Sequence, residues 1–135
     1  MALKNLSIPP HLAYKLKELG FDEECFAIYQ GDHWEPRYKS RNSQKLGRKM
    51  GNRNNGFCTA PTWDQVWKFF RDTHNLLHII DGIHSTEAFE FDCQILNLKN
   101  GTYYVLSYAG NDYLMAQTAC LERLFEITED ILKNG

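Results

Sequence analysis

The segment RYKSRNSQKLGRKMGNRNNG, residues 37–56, concentrates the side chains of this chain that are best suited to binding an anion. Lysine and arginine neutralise phosphates, and glycine and asparagine allow backbone N–H groups to approach a ligand closely. The segment contains no aspartate or glutamate. Its cations are therefore the candidate ligand-binding residues, and a solvated basic loop without a partner is the alternative. The seven cations are Arg37, Lys39, Arg41, Lys45, Arg48, Lys49 and Arg53.

The charge of this segment contrasts with that of the rest of the chain. The 135 residues include 15 basic and 17 acidic side chains, which gives a formal net charge of −2. Because seven basic side chains lie in the segment, the remainder holds eight basic against 17 acidic ones, a net charge of −9. A basic stretch in an acidic chain favours an anionic partner. The scarcity of apolar side chains in the stretch also predicts a long, mobile loop over residues 37–56.

The five histidines are the next candidates for chemistry. His84 and Thr86 match one His-x-Thr motif of the two-histidine phosphoesterases, but those enzymes need the motif twice and the chain has no second copy. A turn is predicted at Asp81-Gly82, so His78 and His84 are not expected to share a metal-binding face. Closely spaced ligand pairs, which are typical of zinc sites, are absent from the sequence. The sequence therefore predicts no metal, no cofactor and no catalytic residue.

The four cysteines lie beside apolar residues and form no Cys-x-x-Cys pair. They are predicted to be reduced thiols that pack in a core. The first residues, MALKNLSIPP, lack the apolar run of a signal peptide, and no stretch reaches the roughly 18 apolar residues of a membrane span. The predicted location is the cytoplasm, and two disulfides in a secreted chain are the alternative. The cysteines are Cys25, Cys58, Cys93 and Cys120.

Three helices are predicted from apolar spacing and from residues that favour helix ends. The first, in IPPHLAYKLKELGF, begins at the prolines and ends at Gly20. The second follows Thr62, which is expected to form a capping box with Gln65. The third covers residues 112–133. The side chains expected in the core are Leu12, Leu16, Leu19, Trp63, Trp67, Phe70, Leu114, Leu121, Leu124, Phe125, Ile131 and Leu132.

Strands are predicted at residues 25–30, 34–39 and 77–81 and in a hairpin that turns at Lys99-Asn100-Gly101. In the second hairpin strand, TYYVLSYA, Tyr103, Val105 and Ser107 share one face, and one face of this strand is expected to point away from the helices. The chain is therefore predicted to be α+β. It is expected to form a single-domain two-layer sandwich over residues 1–135, with an antiparallel sheet of three or four strands, three helices and the long basic loop.

Three blocks, KLKELGFDEECFAIY, APTWDQVWKFFRDTH and AQTACLERLFEI, resemble a family of small uncharacterised proteins encoded by bacterial phages and integrated mobile elements. The resemblance covers most of the chain except the basic segment, which is longer and more basic here. Phe69-Phe70 stands where the family pattern has Trp-Phe. Because the blocks are mostly core-forming positions, the resemblance implies a fold and a genetic context and supplies no catalytic residue.

The leading hypothesis from these observations is a non-enzymatic accessory protein of a phage or mobile element. It would act in the host cytoplasm by binding a host protein or a signalling nucleotide, as in counter-defence. The alternative is a nucleic-acid-binding protein that uses the basic loop 37–56, and a phosphoesterase-like enzyme based on His84 and Thr86 is the weakest alternative. A membrane is not an expected partner, and the sequence leaves the partner's identity and the oligomeric state open.

Overall fold

The computed structural model describes residues 6–23, 25, 27–30, 37–38, 57–84, 89–108 and 112–134. These residues form three helices and two antiparallel sheets of three strands each, which confirms the predicted α+β class. The strands are distributed over two sheets, whereas one sheet was expected. The chain divides into two compact units, Met1–Val66 and Trp67–Gly135.

In the first unit, helix α1 (Pro10–Glu18) begins and ends as its sequence predicts. Proline occupies its first turn, and Gly20 follows the last turn at a φ of +96°. The Phe21 N–H donates to the Leu16 carbonyl and the Gly20 N–H donates to the Lys17 carbonyl, a pair of bonds that closes the helix. Leu16 and Phe21 are both buried. The left-handed residue and the apolar contact therefore end α1 together.

The first sheet has the order β2-β1-β3, with β1 at Ala27–Gln30, β2 at Arg37–Tyr38 and β3 at Phe57–Thr59. Both outer strands pair antiparallel with β1. Three consecutive β1 residues, Ala27, Ile28 and Tyr29, are at most 2% exposed. Because neighbouring strand residues point to opposite faces, both faces of β1 are covered.

Helix α2 (Trp63–His74) begins with the predicted capping box. The Gln65 N–H donates to the Thr62 hydroxyl, and the Thr62 N–H donates to the Gln65 side-chain oxygen at 3.0 Å. These reciprocal bonds satisfy N–H groups that the helix itself cannot pair. The boundary between the two units falls inside this helix, after Val66.

The second unit contains the sheet β4-β5-β6, with β4 at Leu76–His84, β5 at Phe89–Asn97 and β6 at Tyr103–Tyr108. The hairpin between β5 and β6 turns as predicted, with Gly101 at a φ of +78° and the Asn97 side chain accepting from two turn N–H groups. The turn predicted at Asp81-Gly82 is wrong. Asp81 pairs with Asp92 and Gly82 with Phe91, so β4 continues to His84.

Helix α3 (Tyr113–Asn134) packs on the second sheet. Phe125 contacts Phe70 of α2 edge to face, with ring centroids 5.4 Å apart. The predicted burial of Trp63, Trp67, Phe70, Leu121 and Phe125 is confirmed. The predicted burial of Ile131 and Leu132 is wrong, because these side chains are 38% and 62% exposed. The buried face of α3 continues instead through Ala116, Cys120, Leu124, Ile127 and Thr128.

Candidate functional site

The basic segment is anchored at both ends to the first sheet. Tyr38, the last residue of β2, lies opposite Ala27, and Phe57, the first residue of β3, lies opposite Gln30. Strands β2 and β3 are both antiparallel to β1, so residues 39–56 connect two mutually parallel strands on either side of it. Strand spacing and rise place these two anchors about 14 Å apart.

The connection is much longer than this separation requires. Residues 39–56 could span roughly 60 Å if fully extended, because a residue adds about 3.3–3.6 Å. The connection is therefore long enough to reach a partner beyond the sheet to which its ends are joined. Arg37 contributes its backbone to β2, where it pairs with Ile28. The loop was predicted over residues 37–56, but its first two residues, Arg37 and Tyr38, form strand β2. Residues 39–56 lie outside the described residues, and with them the other predicted site residues, Lys39, Arg41, Lys45, Arg48, Lys49 and Arg53.

A further cation lies beside the same sheet. Lys17 of α1 is close enough to Cys58 of β3 to favour the thiolate form of Cys58 electrostatically. Burial opposes this effect and dominates it, so the pKa of Cys58 is raised to about 12. Lys15 is exposed on the same helix. Lys15 and Lys17 therefore belong to the same compact unit as the basic segment.

All four thiols are buried, which keeps them from contact with a substrate in solution. Burial raises the pKa of Cys25 to about 12, as it does for Cys58. In the second unit, Cys120 of α3 donates a hydrogen bond to Cys93 of β5, which lowers the pKa of Cys93 and raises that of Cys120. Both side chains are at most 1% exposed. The four cysteines are therefore core residues, as their apolar sequence neighbours predict.

Two histidines of the second unit are engaged in aromatic packing. His78 of β4 stacks on Trp67 of α2, with ring centroids 3.9 Å apart and planes 16° from parallel. His74 contacts Phe69 edge to face at 5.2 Å, and partial burial lowers its pKa. The His74 Nε2 atom is buried and has no hydrogen-bond partner among the described residues. These positions favour a packing role over a catalytic one.

The described residues do not include the whole His-x-Thr motif, so they show no phosphoesterase site there. The backbone of His84 pairs with Phe89 at the end of β4, and Thr86 lies outside the described residues. Within the described ranges, no three His, Cys, Asp or Glu side chains converge as the ligands of a metal ion would.

The second sheet has one face that points away from α2 and α3, called the outer face below. The opposite face carries His78, Cys93 and Tyr104, which contact Trp67, Cys120 and Arg123 of the two helices. The strand register places the alternating side chains on the outer face. They are Leu77, Ile79, Asp81, Glu90, Asp92, Gln94, Leu96, Tyr103 and Val105.

The outer face includes residues that the sequence identified and residues that it missed. Tyr103 and Val105 are 50% and 62% exposed, which confirms that one face of this strand points away from the helices. Asp81 was missed because its Asp-Gly pair indicated a turn. The face on which Asp81 lies could have been predicted from the alternation of Leu77 and Ile79, because Asp81 is the next residue in that alternation.

Comparisons with protein-family models, with curated proteins and with solved structures each give no match for this chain. In the part of the chain that the structure describes, no helix combines the length and the apolar character needed to cross a bilayer.

Proposed function

We propose that this protein is a non-enzymatic accessory protein of a phage or mobile element that binds an anionic partner through residues 37–56. The preferred partners are an acidic surface of a host protein or a host signalling nucleotide, which would fit a role in counter-defence. The observation that carries this proposal is the run of seven cations without one carboxylate. Arg37 lies in β2, and the other six lie in a connection whose two ends are fixed to one sheet.

The anchoring supports binding for an energetic reason. A segment of this composition cannot bury enough apolar surface to order itself, so a partner must offset the entropy of ordering it. Fixing Tyr38 and Phe57 on β1 restricts the segment before the partner arrives. This restriction lowers the entropy that binding must still overcome.

Direct binding measurements test the proposal with two variants of equal charge. The first replaces Arg41, Lys45, Arg48 and Lys49 with glutamine. The second replaces four exposed lysines outside the segment with glutamine, namely Lys15, Lys68, Lys99 and Lys133. Binding of linear and cyclic nucleotides is measured by calorimetry, and host proteins are captured from nuclease-treated lysate.

The segment variant is expected to lose binding, and the matched variant is expected to retain most of it. Equal loss in both variants would show that only total charge matters and would contradict a specific role for the segment. A hydrolytic turnover of nucleotides that depends on His84 would contradict the non-enzymatic assignment.

A nucleic-acid partner is the second candidate, and the number of cations in the segment favours it. Seven cations can contact several phosphates at once, and each contact releases counterions. The logarithm of the affinity for a DNA or RNA oligonucleotide should then fall with the logarithm of salt concentration. The slope should be about −0.7 to −0.9 per phosphate contact. The absence of oligonucleotide binding at low salt would eliminate this candidate.

A further inference from the structure

The outer face of the second sheet contains an apolar region at one end. The register aligns Leu77, Leu96 and Tyr103 in one row across the three strands. Ile79, Gln94 and Val105 form the next row. The Tyr103 hydroxyl donates to the Gln94 side-chain oxygen, so the polar group in these rows is engaged within the face. Five of the six side chains present aliphatic or aromatic surface.

The other end of the same face is acidic. Asp81 lies directly opposite Asp92 in the β4–β5 pair, and Glu90 is two residues from Asp92 on the same side of β5. Like charges in directly opposed positions of an antiparallel pair are destabilising. The ion pairs of the described residues are Arg71–Asp72 and Arg123–Glu126, and neither lies on this face. Gln94 donates one hydrogen bond to Asp92 at 3.2 Å, which leaves the negative charge in place.

The charge of the whole unit selects among the partners that could cover this face. Residues 67–135 contain five basic and ten acidic side chains, a net charge of −5. A nucleic acid or an acidic peptide would be repelled at the carboxylate end. A cationic group there would relieve the repulsion between Asp81 and Asp92, while apolar side chains would cover Tyr103 and Val105.

We propose that the outer face of the second sheet is a docking surface for a cationic amphipathic segment of a partner protein. The apolar side of that segment packs on the rows of Leu96 and Val105. Lysine or arginine side chains beyond one end of its apolar stripe lie over Asp81 and Asp92. An amphipathic helix suits this arrangement, because a helix stripe on a sheet face is a common layer packing. This surface is formed by residues other than 37–56 and has the opposite charge preference.

The test uses the full-length protein and three short synthetic helical peptides. The first peptide carries a leucine stripe followed by lysines. In the second, glutamates replace the lysines, and in the third, serines replace the leucines. Binding is measured by fluorescence anisotropy, and the contacted residues are mapped by amide chemical-shift changes in the ¹⁵N-labelled protein.

Matched variants distinguish binding at the outer face from general electrostatic attraction of the peptide to an acidic protein. Asp81→Asn with Asp92→Asn removes two carboxylates from the face, and Glu122→Gln with Glu129→Gln removes two exposed carboxylates from α3. Val105→Ser and Leu132→Ser each remove an apolar side chain that is 62% exposed, one on the face and one on α3.

The leucine–lysine peptide is expected to bind, with shifts concentrated on β5 and β6. The Asp81/Asp92 variant should weaken its affinity about three- to tenfold at low salt, the range for two exposed ion pairs. The Val105 variant should weaken it by a similar factor, and the two α3 variants should change it less than twofold. Equal effects of the face and α3 variants would overturn the proposal. Preferential binding of the leucine–glutamate peptide, or shifts confined to other surfaces, would overturn it as well.

Discussion

Residues 1–66 contain ten basic and seven acidic side chains, whereas residues 67–135 contain five and ten. The two compact units therefore carry net charges of +3 and −5. They also differ in where the charge lies. In the first unit it is concentrated in a connection between β2 and β3, and in the second unit carboxylates lie beside exposed apolar side chains on regular strands.

This difference has a physical consequence for binding. For residues 39–56, the composition predicts that a partner must offset the entropy of ordering the chain. Charges on paired strands are already positioned, so they favour a partner of fixed shape. The two proposals therefore predict different kinds of partner for the two units, as well as partners of opposite charge.

The largest expected effect tests whether the units are independent in stability as well as in charge. Phe125 is 1% exposed and packs against Phe70. Phe125→Ala should lower the free energy of unfolding of the second unit by about 3–5 kcal/mol, because a large cavity replaces the ring. Amide hydrogen exchange of Cys93 on β5 should accelerate strongly. If amide hydrogen exchange at Ile28 on β1 accelerates equally, the two units unfold together and are not independent in stability.

The second expected effect concerns α2, the helix that crosses the boundary between the units. Thr62→Ala removes one half of the capping box with Gln65. The free energy of unfolding should fall by about 1 kcal/mol in chemical denaturation. Thr73→Ala, at an exposed position of the same helix, is the control and should have a smaller effect. An equal loss in the two variants would mean that the cap hydrogen bonds add no stability.

The third prediction is a pH dependence of stability that arises at His74 in the second unit. Burial lowers the pKa of His74, so the folded state resists protonation that the unfolded state accepts. The unfolded state therefore binds more protons below the ordinary histidine pKa of about 6.5. Stability should decrease as the pH falls through that value toward the lower pKa of folded His74.

Thermal melts of wild type and His74→Gln between neutral and mildly acidic pH measure this effect. The variant should lose part of the pH dependence, whereas His11→Gln, at an exposed position of α1, should keep it. An unchanged pH dependence in His74→Gln would show that His74 is not responsible.

The smallest expected effect is on the stability of the basic segment variant. Replacement of Arg41, Lys45, Arg48 and Lys49 by glutamine should change the free energy of unfolding by less than the capping variant does. Surface substitutions usually stay within about ±0.5 kcal/mol each, and changes of either sign offset one another. The melting temperature of the segment variant should therefore stay close to that of wild type. A much lower melting temperature would mean that residues 37–56 support the first sheet, and the contrast between an adaptable and a preformed surface would fail.

Local structure was predictable from the sequence wherever the determining contacts lie within a few residues. Gly20 ends α1, Thr62 and Gln65 cap α2, and Asn97 with Gly101 forms the hairpin turn. Each of these features is decided by backbone conformation and by hydrogen bonds that span at most five residues. Alternation also predicted that Tyr103 and Val105 share a face.

The position of Asp81 shows where local information was insufficient. Asp-Gly favours a turn when only the chain on either side is considered. Pairing with Asp92 and Phe91 keeps these residues in β4, since the ladder hydrogen bonds with β5 outweigh the local preference. The acidic end of the outer face depends on that pairing, because the register places Asp81 directly opposite Asp92. Alternation within one strand could indicate the face of Asp81, but it could not indicate which residue of β5 lies opposite.

By itself, the sequence determined the α+β class, both ends of α1, the start of α2, the β5–β6 hairpin and the unequal distribution of charge. These depend on composition, periodicity and short-range hydrogen bonds. The tertiary structure alone decided that the strands form two sheets and that Asp81 faces outward beside an apolar region. It also decided that Ile131 and Leu132 are exposed while Ile127 and Thr128 are buried. The reason is that periodicity establishes which side chains share a face, whereas burial requires another element to lie opposite that face.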